Sequence, residues 1–150
     1  MEKKRKIVPP VYFLIALTIM IEMHFFAPLA IYAHSLLLYA GVLLASFGLG
    51  MAATSARVFK QVDTGIVPFD KATVLVSGGF YRFTRNPMYL GMVLVLLGIA
   101  LALGTAGSLV PIPFFIWVIH LNFILGEERF LEEAFGEEYL AYKSKVRRWL

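Results

Sequence analysis

The sequence contains no cysteine. That absence excludes disulfide stapling, zinc–thiolate and iron–sulfur sites, and a thiol nucleophile. Charge is also scarce: Asp, Glu, Lys and Arg make up 16% of the 150 residues, against about a quarter in an ordinary soluble domain. Hydrophobic residues make up 59% and mean hydropathy is +0.75, so the chain is too apolar for water and far from disorder. Histidine is rare and scattered, with no HxxxH or HExxH spacing, which argues against a metal site. A Walker loop, a nucleophile–base pair and a dinucleotide fingerprint after a strand are missing too.

The few charges fall into three clusters, at 2–6, 57–85 and 127–148. Between residues 86 and 126 there is none, and between 7 and 53 only Glu22. Hydrocarbon excludes charge, so both uncharged blocks are expected in a bilayer. The reading is a single domain over 1–150, all-α and integral to the membrane. It predicts a four-span helical bundle with spans at about 9–26, 32–53, 88–103 and 109–125. A loop over 54–87 and C-terminal amphipathic helices over 127–148 complete it. The breaks are expected around Pro28 and at Gly104-Thr105-Ala106-Gly107-Ser108. Pro111 and Pro113 fall in the first turns of the fourth span, where a missing N–H costs little.

All 14 Lys and Arg lie before span one, between spans two and three, or after span four. They are Lys3, Lys4, Arg5, Lys6; then Arg57, Lys60, Lys71, Arg82, Arg85; then Arg129, Lys143, Lys145, Arg147, Arg148. The positive-inside rule puts both termini and the central loop in the cytoplasm. The net charge of +4 therefore reads as topology and anionic-lipid contact, with no nucleic-acid partner. Glu22-Met23-His24-Phe25-Phe26 offers no small-residue cleavage site, so the first span is expected to be retained.

Gly41, Ala45, Gly48 and Ala52 form one small-residue stripe, and Gly91, Gly98 and Ala102 another; such stripes let helix backbones approach in lipid. The two are expected to face each other. Glu22, His24 and His34 read as interfacial side chains. His120 and Glu127 are seven apart, hence on one helical face, which fits either a polar cavity or a satisfied bond within the bundle.

Two charged, aromatic segments flank the last pair of spans. In the first, Gly78-Gly79-Phe80-Tyr81-Arg82-Phe83-Thr84-Arg85-Asn86-Pro87, the glycines permit a tight turn and the arginines are fork donors for carboxylate or phosphate. Pro87 can open the third helix, whose N-terminal end carries free N–H groups. The segment reads equally as an anion site or as an interfacial anchor. The second, 126–143, reads as helix, break at Gly136, helix. Leu131, Phe135, Tyr139, Tyr142, Val146 and Trp149 form its apolar stripe. Glu127 and Glu128 stand where span four leaves the membrane. They are candidates to neutralise Arg82 or Arg85 in a partly dry site, or to face a cationic ligand. Chemistry here must rest on positioning more than on acid–base groups, which methyl transfer from a sulfonium donor fits.

Arg85-Asn86-Pro87-Met88-Tyr89-Leu90-Gly91, then the uncharged hairpin, then Glu127-Glu128, resembles the isoprenylcysteine carboxyl methyltransferase family of integral membrane enzymes. Gly79-Phe80-Tyr81-Arg82 and Phe135-Gly136 with Tyr139 and Tyr142 also look like that family, and the likeness runs from about 64 to 148. Where the family has His, this chain has Asn86, which can hydrogen-bond but carries no proton near neutral pH. The resemblance implies S-adenosylmethionine bound at the cytoplasmic side and a lipophilic acceptor entering from the bilayer, for instance the carboxylate of a prenylcysteine-like lipid. It implies that Arg85, Asn86, Pro87 and Tyr89 line the cofactor pocket, that Gly79, Phe80 and Tyr81 shape its loop, and that Glu127 and Glu128 close it. Arg85 and Glu127 take the catalytic roles, and His120 joins the pocket by the helical-face argument alone. Membrane methyltransferases acting on phospholipid amines share the hairpin and Glu-Glu features. Other readings are an NADPH-dependent membrane reductase resembling the sterol and steroid reductases, and a non-catalytic membrane subunit or small-solute channel. Against a transporter stands the lack of an internal repeat between the span pairs.

Overall fold

Three of the helices open on proline, at Pro9, Pro87 and Pro111. A first-turn residue needs no N–H donor, so proline's locked φ starts a helix there at no loss. The computed structural model describes residues 8–61 and 74–150, for 59–61 the backbone alone. Helix α1 is Pro9–Phe26, α2 Ser35–Gln61, α3 Pro87–Leu103, α4 Pro111–Ile119, α5 Leu125–Phe135 and α6 Glu137–Lys145. Short 3-10 turns occupy Gly79–Arg82 and Ala106–Leu109, and a π-helical stretch, His120–Ile124, joins α4 to α5. Among the described residues there is no strand, only two isolated bridges.

Three stretches are long and apolar enough to cross a membrane: Pro9–Phe26, Ser35–Val58 and Ala106–Phe135. Helix α3, with 17 residues, is shorter. The first span matches the sequence expectation, but α2 continues to Gln61 and takes up the start of the expected 54–87 loop. Lys3, Lys4, Arg5, Lys6 and Lys71, the side chain of Lys60, and the family likeness from 64 to 73 lie outside the described residues.

Helices α2 and α3 pack most extensively, and glycine sets their distance. A Cβ added at Gly48 would sit 2.6 Å from the Gly91 carbonyl oxygen, and one at Gly91 2.6 Å from that of Gly48. Gly98 meets the Gly41 carbonyl and Ala45 in the same way. The two small-residue stripes therefore do face each other, backbone against backbone.

At one end of the bundle the 27–34 and 104–110 turns zip together. Tyr32 N–H donates to Gly104 O at 2.9 Å, Ala106 N–H to Ala30 O at 2.8 Å and Gly107 N–H to Pro28 O at 2.9 Å. Gly104, left-handed at φ 67°, ends α3. His24 is not simply interfacial: its Nδ1 lies 3.1 Å from Thr105 Oγ1. His34 caps α2, its Nδ1 accepting from Leu36 N–H at 3.2 Å. Ala16, Met20, Leu96, Ala100, Phe115 and Ile119 fill the core between these turns and the opposite, charged end.

At that charged end α5 and α6 break at Gly136, whose φ is 50°. The expected helix to 148 stops at Lys145. Val146 is extended, and the following residues pair with the segment before α3: Thr84 bridges Arg147 in parallel, and Arg85 N–H donates to Arg147 O at 2.9 Å. A backbone claimed by that pairing cannot also continue the helix.

Candidate functional site

The hairpin made by α3, α4 and α5 returns its two charged ends to the same end of the bundle. Helix α3 starts there with Asn86 before it, and α5 carries Glu127 and Glu128 in its first turn. The phenol of Tyr89 donates to Glu127 Oε1 at 2.6 Å. Arg85 Nη2 lies 3.2 Å from Glu128 Oε1, with side-chain exposures of 9% and 8%. Of the partners expected for the glutamates, Arg85 is thus found and Arg82 is not: Arg82 is exposed.

Helix α6 and the segment after it complete the cluster. Arg148 Nε donates to Glu128 Oε1 at 2.8 Å and Nη2 to Oε2 at 2.9 Å, a two-point grip. The Arg148 carbonyl accepts from Asn86 Nδ2 at 2.9 Å and from Thr84 Oγ1 at 3.2 Å. Tyr142 donates to Tyr81 O at 2.7 Å, tying α6 to the 3-10 turn. Burial pushes Tyr139 and Tyr142 up to about 12, so both phenols stay protonated at neutral pH. Tyr81 is raised further by burial, with Tyr142 and Glu127 adding to the effect.

Among the described residues Arg85 Nε and Nη1 are buried without a hydrogen bond of good geometry, the Tyr139 phenol being the polar group that interacts with the guanidinium. A buried donor without an acceptor costs about 1–3 kcal/mol, more when charged. Such groups in native proteins call for an explanation. Glu127, next to Glu128 in the first turn of α5, accepts from Tyr89 instead. Arg85, Asn86, Pro87, Tyr89, Glu127 and Glu128 are thus gathered at one end, although the Asn86 side chain is turned to the Arg148 carbonyl. Gly79 takes the left-handed φ of 59° that starts the 3-10 turn. Phe80 packs edge-on against Phe47 of α2, with ring centres 6.2 Å apart.

His120 stands apart. The π turn between it and Glu127 is wider than an α turn, so seven residues no longer return to the same face. No described hydrogen bond or ion pair joins it to the cluster.

A cavity of about 260 Å³ opens elsewhere, between α1 and α4. Its lining is apolar and includes Tyr12, Ala16, Ile19, Pro111, Phe114 and Phe115. Aromatic rings connect it to the polar cluster: Tyr12 to Phe123 at 5.7 Å and Phe123 to Tyr89 at 6.4 Å between centres. Among the described residues no group of His, Asp or Glu is arranged to hold a metal ion.

Sequence reasoning missed Arg148, Thr84 and the cavity. Arg148 lies 20 residues from Glu128 and carried only a topological signal. Thr84 carried none. The aromatic residues around the cavity read as ordinary span residues.

Comparison with known proteins adds a family model, described as phospholipid methyltransferase, that matches residues 36–138. An uncharacterized protein of Haemophilus influenzae is 48% identical over 63 residues, covering 42% of this chain and 100% of its own. The protein-S-isoprenylcysteine O-methyltransferase of Saccharomyces cerevisiae is 41% identical over 73 residues, 49% of this chain and 30% of the yeast protein. Protein-S-isoprenylcysteine O-methyltransferase A of Arabidopsis thaliana is 35% identical over 93 residues, 62% of this chain and 46% of its own. The matches to these two span less than half the length of either methyltransferase. No solved structure matches the chain significantly.

Proposed function

From the premise that the chain belongs to the phospholipid methyltransferase family, we propose that it transfers a methyl group from S-adenosylmethionine to a lipophilic acceptor at the cytoplasmic face of a membrane. The observation that carries this reading is Arg85, buried with Nε and Nη1 unsatisfied among the described residues and paired with Glu128, whose neighbour Glu127 takes the Tyr89 phenol. An amino-acid zwitterion beside a sulfonium needs both signs of charge within one pocket. Arg85 would hold the carboxylate, while Glu127, oriented by the Tyr89 phenol, would face the cationic part. Glu128 holds Arg85 in place, and Gly79, Phe80 and Tyr81 would shape the loop of the pocket. Asn86 and Pro87 fix the entry to α3. His120 remains a candidate for the pocket on its position in the hairpin.

S-adenosylmethionine supplies an electrophilic methyl whose leaving group is already attached, so the chain's residues need only align and enclose the reactants. The α1–α4 cavity suits the hydrocarbon part of the acceptor, since its lining is apolar and its Tyr12 end leads to the cluster. Four spans are proposed, with α3 as the short one and the charged end cytoplasmic. In support, Arg57, Arg82, Arg129 and Arg147 gather at that end, and the opposite turns carry no Lys or Arg.

The carboxylate of a prenylcysteine-like lipid fits relatives named isoprenylcysteine O-methyltransferase, and a phospholipid amine fits a family model described as phospholipid methyltransferase. Mass spectrometry of membrane lipids incubated with the protein and methyl-labelled donor separates them. Label in lipid that base releases as methanol supports the carboxylate; base-stable label supports the amine. Unlabelled lipid with well-folded protein overturns the proposal. Filling the cavity by Ala16→Phe should raise KM for the labelled lipid about tenfold, by excluding about two methylenes at about 0.8 kcal/mol each. Binding of S-adenosylhomocysteine should stay unchanged in that variant. An unaltered KM would place the acceptor's chain elsewhere.

A further inference from the structure

Glu128 is the hub of the polar cluster, and Arg148 holds both of its oxygens, at 2.8 Å and 2.9 Å. Arg148 is itself fixed from behind. Its carbonyl takes hydrogen bonds from Asn86 and Thr84, and the Arg147 carbonyl takes one from the Arg85 N–H. The next residue, Trp149, packs on the apolar core. Backbone and side chain together set the planar fork that two-point recognition of a carboxylate needs.

The consequence falls on Arg85. A buried carboxylate with a single guanidinium beside it draws that group into a two-point pair. Here both Glu128 oxygens are already engaged by Arg148. Arg85 meets Glu128 through Nη2 alone, at 3.2 Å, and among the described residues its Nε and Nη1 reach no carboxylate. Two arginines around Glu128 also leave one positive charge unbalanced by that carboxylate.

We propose that Arg148 is a positioning residue: by occupying both oxygens of Glu128 it stops Glu128 from capturing Arg85, and so keeps Arg85 available to the carboxylate of an amino-acid ligand. This rests on the reading that a methionyl group binds at the cluster. It also gives Asn86 a task that needs no proton, which is to hold the Arg148 carbonyl.

Calorimetry on the detergent-solubilised full chain tests it with two probes: S-adenosylhomocysteine and its decarboxylated analogue. Arg148→Ala should weaken the first about tenfold or more, the worth of a charged hydrogen bond, and the second less than about twofold. Arg148→Lys, which neutralises without a planar fork, should fall between. Glu128→Gln added to Arg148→Ala should restore most of the affinity, because a neutral amide no longer captures Arg85. This double variant also serves if Arg148→Ala alone does not fold. Equal losses on both probes, an unchanged Arg148→Ala, or a double variant that binds no better than the single would each overturn the proposal. Wild-type protein that binds neither probe would instead remove the methyl-donor reading beneath it.

Discussion

Replacing Arg85 by alanine should lower the affinity for S-adenosylhomocysteine by about 10- to 100-fold, the range of one or two charge-assisted hydrogen bonds. The guanidinium is a buried cation at the start of α3, and among the described residues Nε and Nη1 make no hydrogen bond of good geometry. Removing it also leaves Glu128 to Arg148 alone, so the cost to folding is modest: that carboxylate keeps its two-point partner. Glu127→Ala should weaken binding about tenfold by leaving the Tyr89 phenol without its acceptor and the ligand without a counter-charge. Glu132→Ala is the control. Its ion pair with Lys143, at 3.3 Å, is more than a third exposed on both sides and contributes about 0–1 kcal/mol to stability, with nothing to bind. Titration calorimetry of the three variants should rank them in that order. Equal effects from all three would remove the site assignment.

Gly98→Leu should abolish the folded state rather than tune it. A Cβ at that position would stand 2.5 Å from the Gly41 carbonyl oxygen and 2.6 Å from Ala45 N, both backbone atoms that no rotamer change can move. Overfilling an ordinary core costs about 1–3 kcal/mol, and parting two helices whose backbones touch costs more. Gly48→Leu meets the same obstacle at Gly91 and Leu94. Gly50→Leu lies on the same helix with nothing within 4 Å, so it should be neutral or mildly stabilising. Size-exclusion profiles and thermal unfolding in detergent check this. A monodisperse, cooperatively melting Gly98→Leu protein would mean that α2 and α3 do not meet as described.

The charge-free blocks made the helices readable, because hydrocarbon tolerates neither ions nor unpaired backbone. Proline and glycine punctuation placed their ends: α1 and α3 start on Pro9 and Pro87, and the α5–α6 break falls on Gly136. The α2–α3 contact was legible for the same steric reason, since only small residues allow it. Within the site, Arg85, Tyr89, Glu127 and Glu128 were readable from order along the chain, but the choice of Arg85 over Arg82 and the Tyr89–Glu127 pair were not. Glu128 chose Arg85 and Arg148 over Arg82 through folding of the segment after α6, a long-range event without local pattern. The π turn at 120–124 alters the face that His120 shares with Glu127, a change that periodicity, which presumes an unbroken α-helix, does not show. The cavity needed coordinates, since lipid-facing and cavity-facing residues have the same composition.

The most direct test of the central claim is a calorimetric titration of the solubilised wild-type chain with S-adenosylhomocysteine. Saturable binding at one site per chain is the result expected of a cluster built around Arg85 and Glu127. No heat and no rise in Tm, from protein that is monodisperse and melts cooperatively, would contradict it.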